Sequence, residues 1–403
     1  MSLPRLDVDL DAIRHNARQL VDRLSPKGIR VLGVGKVTLA SPGVAAAMLA
    51  GGVSRLGDSR VENLARLRTA EVSGPLTLIR SPMLSQVDRV VRVADVSLNT
   101  EPTVLAALDE AAHRQRVAHD VVLMVELGDL REGVAAVDLI DLAGSVRRWP
   151  SLRLVGIGTN LACQSGVVPD QPKMDELSRL AAEAETAYGT ALSVVSGGNS
   201  ANLEWALTTD DVGRVNELRL GEAILLGTEP LHRRPVTGLR TDAFTLTAEV
   251  IELKTKPAQP WGEIGESAFG VTRPRPADGV VRQAILAIGQ QDVDPDGLTF
   301  PPGIRLLGAS SDHLVVDVGE TELVVGDQIR MGLSYSALLR AMTSPFVTKV
   351  EGPSSQDTVR DLAEQSGQCS MPRPLRRSRA SLTAGTQTQF RESALDRVAA
   401  QNR

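Results

Sequence analysis

Residues 30–36 read RVLGVGK, a short apolar run that ends on a lysine. Similar apolar runs recur along the next two hundred residues or so, with helix-like segments between them. The eight predicted strands are 30–36, 53–59, 75–81, 95–99, 120–127, 152–160, 191–198 and 217–224. Several are apolar on both faces, which is typical of a parallel sheet covered by helices. This pattern predicts an α/β fold, a closed (β/α)8 TIM barrel, with an open doubly wound sheet as the alternative.

The segments between the predicted strands have the periodicity of amphipathic helices. Residues 101–115 and 172–188 are rich in alanine and leucine at helical spacing. A further helix, LDAIRHNARQLVDRL at 10–24, precedes the first predicted strand. Either Asp9 or Asp11 is a candidate for its N-cap, because an aspartate oxygen accepts hydrogen bonds from the first free backbone N–H groups.

The pattern changes after about residue 240, where period-2 alternation replaces the long helices. Predicted strands there are 244–253, 283–288, 306–319 and 322–331. We therefore expect a barrel domain at 8–235 and a C-terminal β-rich domain at 236–351, with the first few residues as a further candidate part of the latter. Residues 352–403 are rich in Ser, Gln, Arg and Pro, and this composition predicts a disordered tail.

Composition narrows the class of function. The 403 residues include 44 basic and 49 acidic side chains, a formal charge of -5 that gives no bulk affinity for nucleic acid. The sequence has no apolar run of about 18 residues and no signal-peptide pattern at its start, which favours a cytoplasmic location without a membrane partner. Cys163 and Cys369 alone cannot form a disulfide framework or a zinc site. We expect small molecules or copies of the chain as partners, and no metal.

Chemistry in a (β/α)8 barrel is built at the carboxyl ends of the strands. The predicted strands end on polar groups there. They are Lys36, Asp58, Ser59, Arg80, Asn99, Glu126, Arg131, Asn160, the stretch 196–200, and Arg219. Apolar strands that end in such groups predict an active site at that end of the barrel.

Lys36 needs its own explanation, because lysine is scarce in this chain. A nucleotide phosphate loop would require a glycine at position 30 and a Ser or Thr after the lysine, whereas Arg30 and Val37 stand there. A surface lysine is the plain alternative. Partial desolvation at a barrel mouth would favour the free amine, which attacks carbonyl groups. Such a site would allow Lys36 to form a Schiff base.

The same end of the barrel offers a phosphate site. The stretch SGGNSAN at 196–202 combines two glycines, exposed backbone N–H groups and the Ser200 hydroxyl. Gly221 follows the last predicted strand, and phosphate sites of such barrels commonly use the loops after strands seven and eight. A cofactor that carries both an aldehyde and a phosphate would satisfy Lys36 and this site together.

Eight longer motifs carry a family resemblance. They are GDSRVENL (57–64), LGDLREGV (127–134), GIGTNLAC (156–163), SGGNSANL (196–203), LRLGEAILLG (218–227), AILAIGQQDVD (284–294), LLGASSDHLVVDV (306–318) and ALLRAMTSPFV (337–347). In this order they resemble the pyridoxal phosphate (PLP)-dependent alanine racemase family of fold type III, most closely its ornithine racemase branch, over about residues 4–351. The resemblance implies a PLP-binding barrel, a C-terminal β-domain and a homodimer whose active sites are completed by the partner.

The resemblance also assigns cofactor contacts. Lys36 is similar to the lysine that binds pyridoxal 5'-phosphate covalently. Arg219 is similar to the arginine that contacts the pyridine nitrogen and keeps it unprotonated, which favours racemisation over transamination. Asn160 stands where alanine racemases have a histidine. The complete predicted cofactor-binding set is Lys36, Arg131, Asn160, Asn199, Ser200, Arg219, Gly221 and Tyr335.

Racemisation needs a second acid or base opposite Lys36. In alanine racemases this group is a tyrosine of the partner subunit, but Phe269 occupies the corresponding stretch, GESAFG, and a phenyl ring cannot transfer a proton. His313 and Asp312 in SSDH are the predicted catalytic replacements, because histidine titrates near neutral pH. Further candidates are Asp292 and Cys163.

Substrate contacts are predicted on both sides of the amino acid. Arg131 resembles the arginine near the substrate carboxylate, and Asp292 and Asp294 are predicted to pair with a side-chain ammonium. The predicted reaction is therefore interconversion of L- and D-ornithine, or of a similar basic amino acid. The alternatives are an alanine or broad-specificity racemase, a decarboxylase, which would release carbon dioxide, and a non-catalytic PLP carrier.

Overall fold

The computed structural model describes residues 3–270, 273 and 275–352. A first strand, β1 (Arg5–Asp9), precedes a closed barrel of eight strands. The barrel strands are β2 (Arg30–Val34), β3 (Arg55–Asp58), β4 (Leu76–Leu78), β5 (Val96–Asn99), β6 (His119–Met124), β7 (Leu152–Gly158), β8 (Val194–Ser196) and β9 (Glu217–Leu220).

The barrel closes because β9 pairs in parallel with β2, with Arg30 opposite Glu217 and Gly33 opposite Leu220. This pairing confirms the closed barrel and excludes the open sheet. Each observed strand overlaps its predicted run, and all except β5 stop earlier at the carboxyl end. The run predicted at 30–36, for example, leaves the sheet after Val34, and Gly35 and Lys36 turn away from it. Lys36 and Asn160 therefore lie beyond the sheet, whereas Asp58, Asn99 and Arg219 lie within it.

Helices cover the outside of the barrel, as the parallel sheet requires. They are α1 (Leu10–Leu24), α2 (Pro42–Ala50), α3 (Val61–Thr69), α4 (Val87–Val93), α5 (Pro102–Gln115), α6 (Ala136–Ser145), α7 (Gln171–Tyr188), α8 (Leu203–Thr208) and α9 (Glu222–Leu226). Asp9 is the N-cap of α1, since its carboxylate accepts hydrogen bonds from the backbone N–H groups of Asp11 and Ala12 at 3.0 Å. Among the described residues, no helix is long and apolar enough to cross a bilayer.

A second, largely antiparallel sheet follows the barrel. Its strands are β10 (Phe244–Pro257), β11 (Val280–Leu286), β12 (Leu298–Thr299), β13 (Arg305–Ala309), β14 (Leu314–Asp317), β15 (Gln328–Leu333) and β16 (Thr348–Gly352). The strand order is β12-β15-β10-β11-β14-β13, and β1 joins it by pairing with β10 and β16. The predicted tail, 352–403, lies outside the described residues except for Gly352.

Three details of this region differ from the sequence prediction. The run predicted at 306–319 is two antiparallel strands, β13 and β14, joined by a turn at 310–313. Residues 322–326, expected in a strand, form a loop that leaves Val324 and Val325 exposed, and only the end of the predicted run enters β15. An alternating apolar pattern alone does not supply a strand with a neighbour to pair with.

The third difference is a helix, α10 (Tyr335–Thr343), whose buried Ala337, Leu338 and Ala341 pack against the core.

Candidate active site

The carboxyl ends of the barrel strands surround a cavity of about 630 Å³, a size typical of small-molecule sites. Most of the predicted strand-end residues meet there. Those that line it are Lys36, Ser59, Arg80, Arg131, Asn160, Asn199, Ser200, Arg219, Gly221 and Tyr335. The prediction that these residues form one site is therefore matched by their positions, whereas their individual roles stay predictions.

Two predicted strand-end residues have local structural roles instead. Asn99 is fully buried, and its side-chain amide donates to the backbone oxygen of Ser97 at 2.8 Å. Glu126 accepts a hydrogen bond from the backbone N–H of Leu130 at 3.0 Å and so shapes the loop that carries Arg131. Neither side chain lines the cavity.

Lys36 begins a short 3-10 turn, Lys36–Thr38, directly after β2. Its side chain is half-buried, and Nζ lies 6.0 Å from the centroid of the Tyr335 ring. Gly35 anchors the turn, because its N–H donates to the oxygen of Gly57 on the neighbouring strand at 3.0 Å. The amine is thus held at the cavity wall, where a ligand can reach it.

Asp58 lies close enough to Lys36 for their charges to interact. The carboxylate is 1% exposed, and Oδ1 accepts hydrogen bonds from the Arg60 N–H and the Asn63 amide at 2.8 and 3.0 Å. Burial raises the pKa of Asp58 to about 6, although these hydrogen bonds and the charge of Lys36 act in the opposite direction. Asp58 therefore changes charge near neutral pH beside the cavity.

Arg219 is 5% exposed and is held by three acceptors. Its guanidinium donates to the Ser196 hydroxyl at 2.7 Å, to the Thr159 carbonyl at 2.8 Å and to the Asn160 side-chain oxygen at 3.2 Å. Burial lowers the pKa of Arg219, while the nearby Glu217 and Glu132 raise it. These three neutral partners fix the guanidinium in one orientation at the cavity wall.

The two polar atoms of the Asn160 side-chain amide differ in their hydrogen bonding. Its oxygen accepts from Arg219 and from the Asn199 amide at 3.1 Å. Its buried Nδ2 has no hydrogen-bond partner within the described part of the chain. A buried donor without a partner costs free energy, so this nitrogen indicates that an acceptor of a bound ligand belongs there.

Part of the cavity lining suits an anion. Ser200, Gly221 and Tyr335 line the cavity, and the Ser200 hydroxyl accepts from the Ala223 N–H at 3.2 Å. A Cβ added at Gly221 would lie 3.2 Å from the backbone oxygen of Val34, so only glycine leaves this space open. Burial, and next the charge of Glu222, raise the pKa of Tyr335, which keeps its phenol protonated as a donor.

Two acidic residues of the cavity were missed by the sequence prediction. Glu132 forms a two-contact ion pair with the neighbouring Arg131. Glu222 follows Gly221, and burial raises its pKa to about 7, despite the lowering effects of Arg233 and Lys36. Both belong to quoted motifs and directly follow predicted ligands in sequence. Their position next to predicted ligands is the sequence signal from which both acidic residues could have been identified.

Asp292 and Asp294, predicted to bind a substrate ammonium, do not line the cavity of this chain. Asp292 is 4% exposed and accepts a hydrogen bond from the Ser344 hydroxyl at 2.6 Å. Asp294 is half-buried and caps a local turn through the N–H of Asp296. Their observed contacts are internal to the second sheet, and their role toward a substrate stays a prediction.

The predicted acid–base pair, Asp312 and His313, also lies outside this cavity, in the exposed turn between β13 and β14. Oδ1 of Asp312 is 2.8 Å from Nδ1 of His313, a contact that orients the imidazole and leaves Nε2 free. Gly289 packs against this turn, where an added Cβ would collide with the backbone of Asp312. Phe269 is 43% exposed and likewise away from the cavity.

Comparison with known proteins agrees with this geometry. A family model for the N-terminal domain of alanine racemase matches residues 8–230. A lysine racemase of Thermotoga maritima is 38% identical over 357 residues, which cover 88% of this chain and 100% of the relative. An ornithine racemase of Acetoanaerobium sticklandii is 37% identical over 351 residues, 86% of this chain and 99% of the relative.

A solved structure supports the fold. The alanine racemase of Streptomyces lavendulae superimposes with a TM-score of 0.68 at 20% sequence identity, covering 88% of this chain and 99% of the other. That identity is informative about the fold alone. The family model and the two relatives go further, and by their coverage this chain belongs to the alanine racemase family.

Proposed function

We propose that this chain is a pyridoxal phosphate-dependent racemase that interconverts the L and D forms of ornithine or lysine. The observation that carries the proposal is the pairing, in one cavity, of the Lys36 amine with an Arg219 guanidinium fixed by neutral acceptors. The relatives named as lysine and ornithine racemases support the choice of a basic substrate.

The donor set fits the proposed cofactor. Lys36 offers the amine for covalent attachment, and Ser200 and Tyr335 offer hydroxyl donors for a phosphate beside the open space at Gly221. The unpartnered Nδ2 of Asn160 is free to donate to an oxygen of the bound ring. When bound, pyridoxal phosphate withdraws electrons from the substrate and makes its α-proton acidic.

Arg219 would set how strongly the bound cofactor withdraws electrons from the substrate. Arginine stays protonated and offers only donors, so it can hydrogen-bond a ring nitrogen only while that nitrogen is unprotonated. The three neutral acceptors hold the guanidinium in place without neutralising it. An unprotonated nitrogen limits electron withdrawal, which favours brief removal and return of a proton over longer reactions.

The remaining residues orient the substrate and transfer its α-proton. Arg131 binds the substrate carboxylate, which fixes Cα relative to Lys36. Nζ of Lys36 removes or returns the α-proton on one face. For the other face we propose His313 of the partner subunit in a homodimer, because its Asp312 contact leaves Nε2 free and the turn is exposed.

The test is a panel of L-amino acids incubated with the purified protein and pyridoxal phosphate, followed by chiral chromatography. We expect D-ornithine or D-lysine to appear, with slower or no conversion of alanine. Release of carbon dioxide without inversion would identify a decarboxylase instead. Binding of the cofactor without turnover of any basic or neutral amino acid would refute the proposal.

A further inference from the structure

The cavity has an unusual charge arrangement for a site that binds a phosphate and a carboxylate. Within the described lining, the cationic side chains are Lys36, Arg80, Arg131 and Arg219, and the acidic ones are Glu132 and Glu222. Two carboxylates in such a site repel both anions unless they have another task. The question is which of them meets the substrate, and with what group.

Glu132 is held at the cavity wall by the backbone around it. Its carboxylate contacts Nε and Nη2 of Arg131, and the two side chains are only 28% and 35% exposed. Gly133 follows, and a Cβ there would lie 2.4 Å from the nitrogen of Glu126, so the chain turns tightly against β6. Val134 then donates to the oxygen of Met124 at 2.7 Å. The backbone that carries Arg131 and Glu132 is therefore held in position, which leaves both side chains free to change partners at the cavity wall.

The carboxylates of Glu132 and Glu222 differ in their electrostatic environment. Burial tends to lower the pKa of Arg131, but its hydrogen bond and charge interaction with Glu132 raise it overall, as expected for an ionised pair. The pKa of Glu222 is raised to about 7, mainly by burial, so a large fraction of that group is neutral near pH 7. Position separates them as well: the Glu132 carboxylate contacts Arg131, the proposed binder of the substrate carboxylate, whereas Glu222 follows Gly221 and its charge acts on Tyr335, both in the proposed phosphate site. Glu132 is thus the better placed partner for a substrate cation.

We infer that Glu132 recognises the side-chain ammonium of a diamino-acid substrate. This rests on the racemase proposed above and names the residue that selects its substrate class. The Glu132 carboxylate holds the guanidinium that a substrate α-carboxylate needs. On binding, the substrate carboxylate takes Arg131 and the released Glu132 takes the substrate ammonium.

This exchange of partners explains discrimination against neutral amino acids. Ornithine or lysine replaces one internal ion pair by two substrate ion pairs, and no charge is left alone. A neutral amino acid of similar length also displaces Glu132 from Arg131, but it has no side-chain cation to pair with the displaced carboxylate. The carboxylate then stays unpaired in a partly desolvated cavity, which is costly.

The test compares ornithine with norvaline, which has the same carbon chain without the terminal amine. Glu132→Gln should lower the ratio of kcat/KM for ornithine to that for norvaline about ten- to a hundredfold, because ornithine loses the partner of its ammonium while norvaline no longer leaves a carboxylate unpaired. Glu132→Asp should retain part of the ratio. Glu176→Gln, which removes the acid of an exposed arginine pair on α7, is the matched control and should leave the ratio unchanged.

Binding supplies a readout that does not depend on turnover. Calorimetric titration of the holoenzyme with α-methylornithine and α-methylnorvaline, which have no α-proton, should show a weakened affinity of Glu132→Gln for the first ligand only. Equal loss for both ligands would mean that Glu132 merely positions Arg131, and would overturn the inference. So would a collapse of the ratio in Asp294→Asn with Glu132→Gln unaffected.

The two proposals fail in different ways. If the unmodified enzyme racemises no amino acid, the proposed function is wrong, whereas the calorimetry still reports whether Glu132 selects a cation. If the enzyme racemises ornithine and Glu132→Gln changes ornithine and norvaline alike, only the inference on Glu132 is wrong.

Discussion

The barrel mouth and the turn at Asp312 and His313 bring residues together in different ways. In the barrel, parallel strands all end at the same rim, so Lys36 and Arg219 share a cavity although the whole barrel separates them in sequence. In the antiparallel sheet, the turn pairs sequence neighbours and presents them outward. The barrel thus builds a pocket from one chain, while the second sheet presents an exposed pair that we propose acts on a partner subunit.

The largest effect is expected at the barrel mouth. Lys36→Ala should remove the absorbance of covalently bound pyridoxal phosphate and lower racemisation at least about a thousandfold, because the described cavity lining contains no second lysine to do both tasks. Absorbance spectra and a chiral assay measure the two losses. Lys173→Ala, which removes a half-buried lysine paired with Asp170 outside the cavity, is the control and should behave as the unmodified enzyme. Undiminished turnover in Lys36→Ala would remove the basis of the proposed mechanism.

The next effect tests whether the outward-facing turn acts on another subunit. His313→Gln should lower racemisation about a hundred- to ten-thousandfold, the usual contribution of a general acid or base, with the cofactor spectrum unchanged. His113→Gln, on an exposed position of α5, is the control. Activity equal to that of the unmodified enzyme would exclude His313 as the second acid or base.

Mixing the two inactive variants sharpens the same point. If each site combines Lys36 of one subunit with His313 of the other, random dimers of Lys36→Ala and His313→Gln regain about a quarter of full activity, since half of the dimers carry one intact site of two. Separate sites within one chain would give no recovery. Analytical ultracentrifugation of the mixture checks that dimers form.

A third prediction concerns the buried carboxylate beneath the turn. Asp292→Ala should lower the free energy of unfolding by about 1–3 kcal/mol, because it leaves the buried Ser344 hydroxyl without its acceptor. Asp294→Ala removes only a half-buried cap, so its effect should be smaller. Urea denaturation measures both. A raised KM for ornithine with unchanged stability in Asp292→Ala would restore Asp292 as a substrate ligand.

The smallest expected effect is a difference in how the stability contributions of Glu222, at the barrel cavity, and Asp312, in the turn of the second sheet, depend on pH. The pKa of Glu222 is raised to about 7 in the folded state, mainly by burial, so the folded state binds more protons than the unfolded one between about 4.5 and 7. Stability from this group therefore falls as pH rises through that window, and Glu222→Gln should gain stability relative to the unmodified protein over the same range.

Asp312 should show the opposite sign. Its hydrogen bond to His313 lowers the pKa of Asp312. Its contribution is therefore present above about pH 4 and is lost as pH falls through the lowered pKa. Urea denaturation of Asp312→Asn and Glu222→Gln across pH separates the two. Parallel curves for both variants would contradict the assignment of opposite shifts.

Much of the barrel and its site could be predicted because parallel topology supplies a rule. Once the strands are recognised, their carboxyl ends must meet, and Lys36, Asn160 and Arg219 follow from that alone. The same rule also places Asn99 at the rim, although it proves to be fully buried. The rule gives positions but not the direction of each side chain.

The roles of Glu132 and Asp292 could not be predicted, because they depend on which side chains each residue contacts in the folded protein. An acid beside an arginine, such as Glu132 beside Arg131, reads in sequence like any exposed ion pair, and only the cavity reveals otherwise. Asp292 reads as an available carboxylate until Ser344, far along the chain, is seen to bind it. Antiparallel strands carry no rule that brings such residues together in advance.

One measurement tests the central claim most directly. L-Ornithine is incubated with the holoenzyme in deuterated water, and α-proton exchange is followed by NMR together with chiral analysis. The account predicts loss of the α-proton signal and formation of D-ornithine deuterated at Cα, without carbon dioxide release. An α-proton that persists in ornithine and lysine, with the cofactor bound at Lys36, would contradict it.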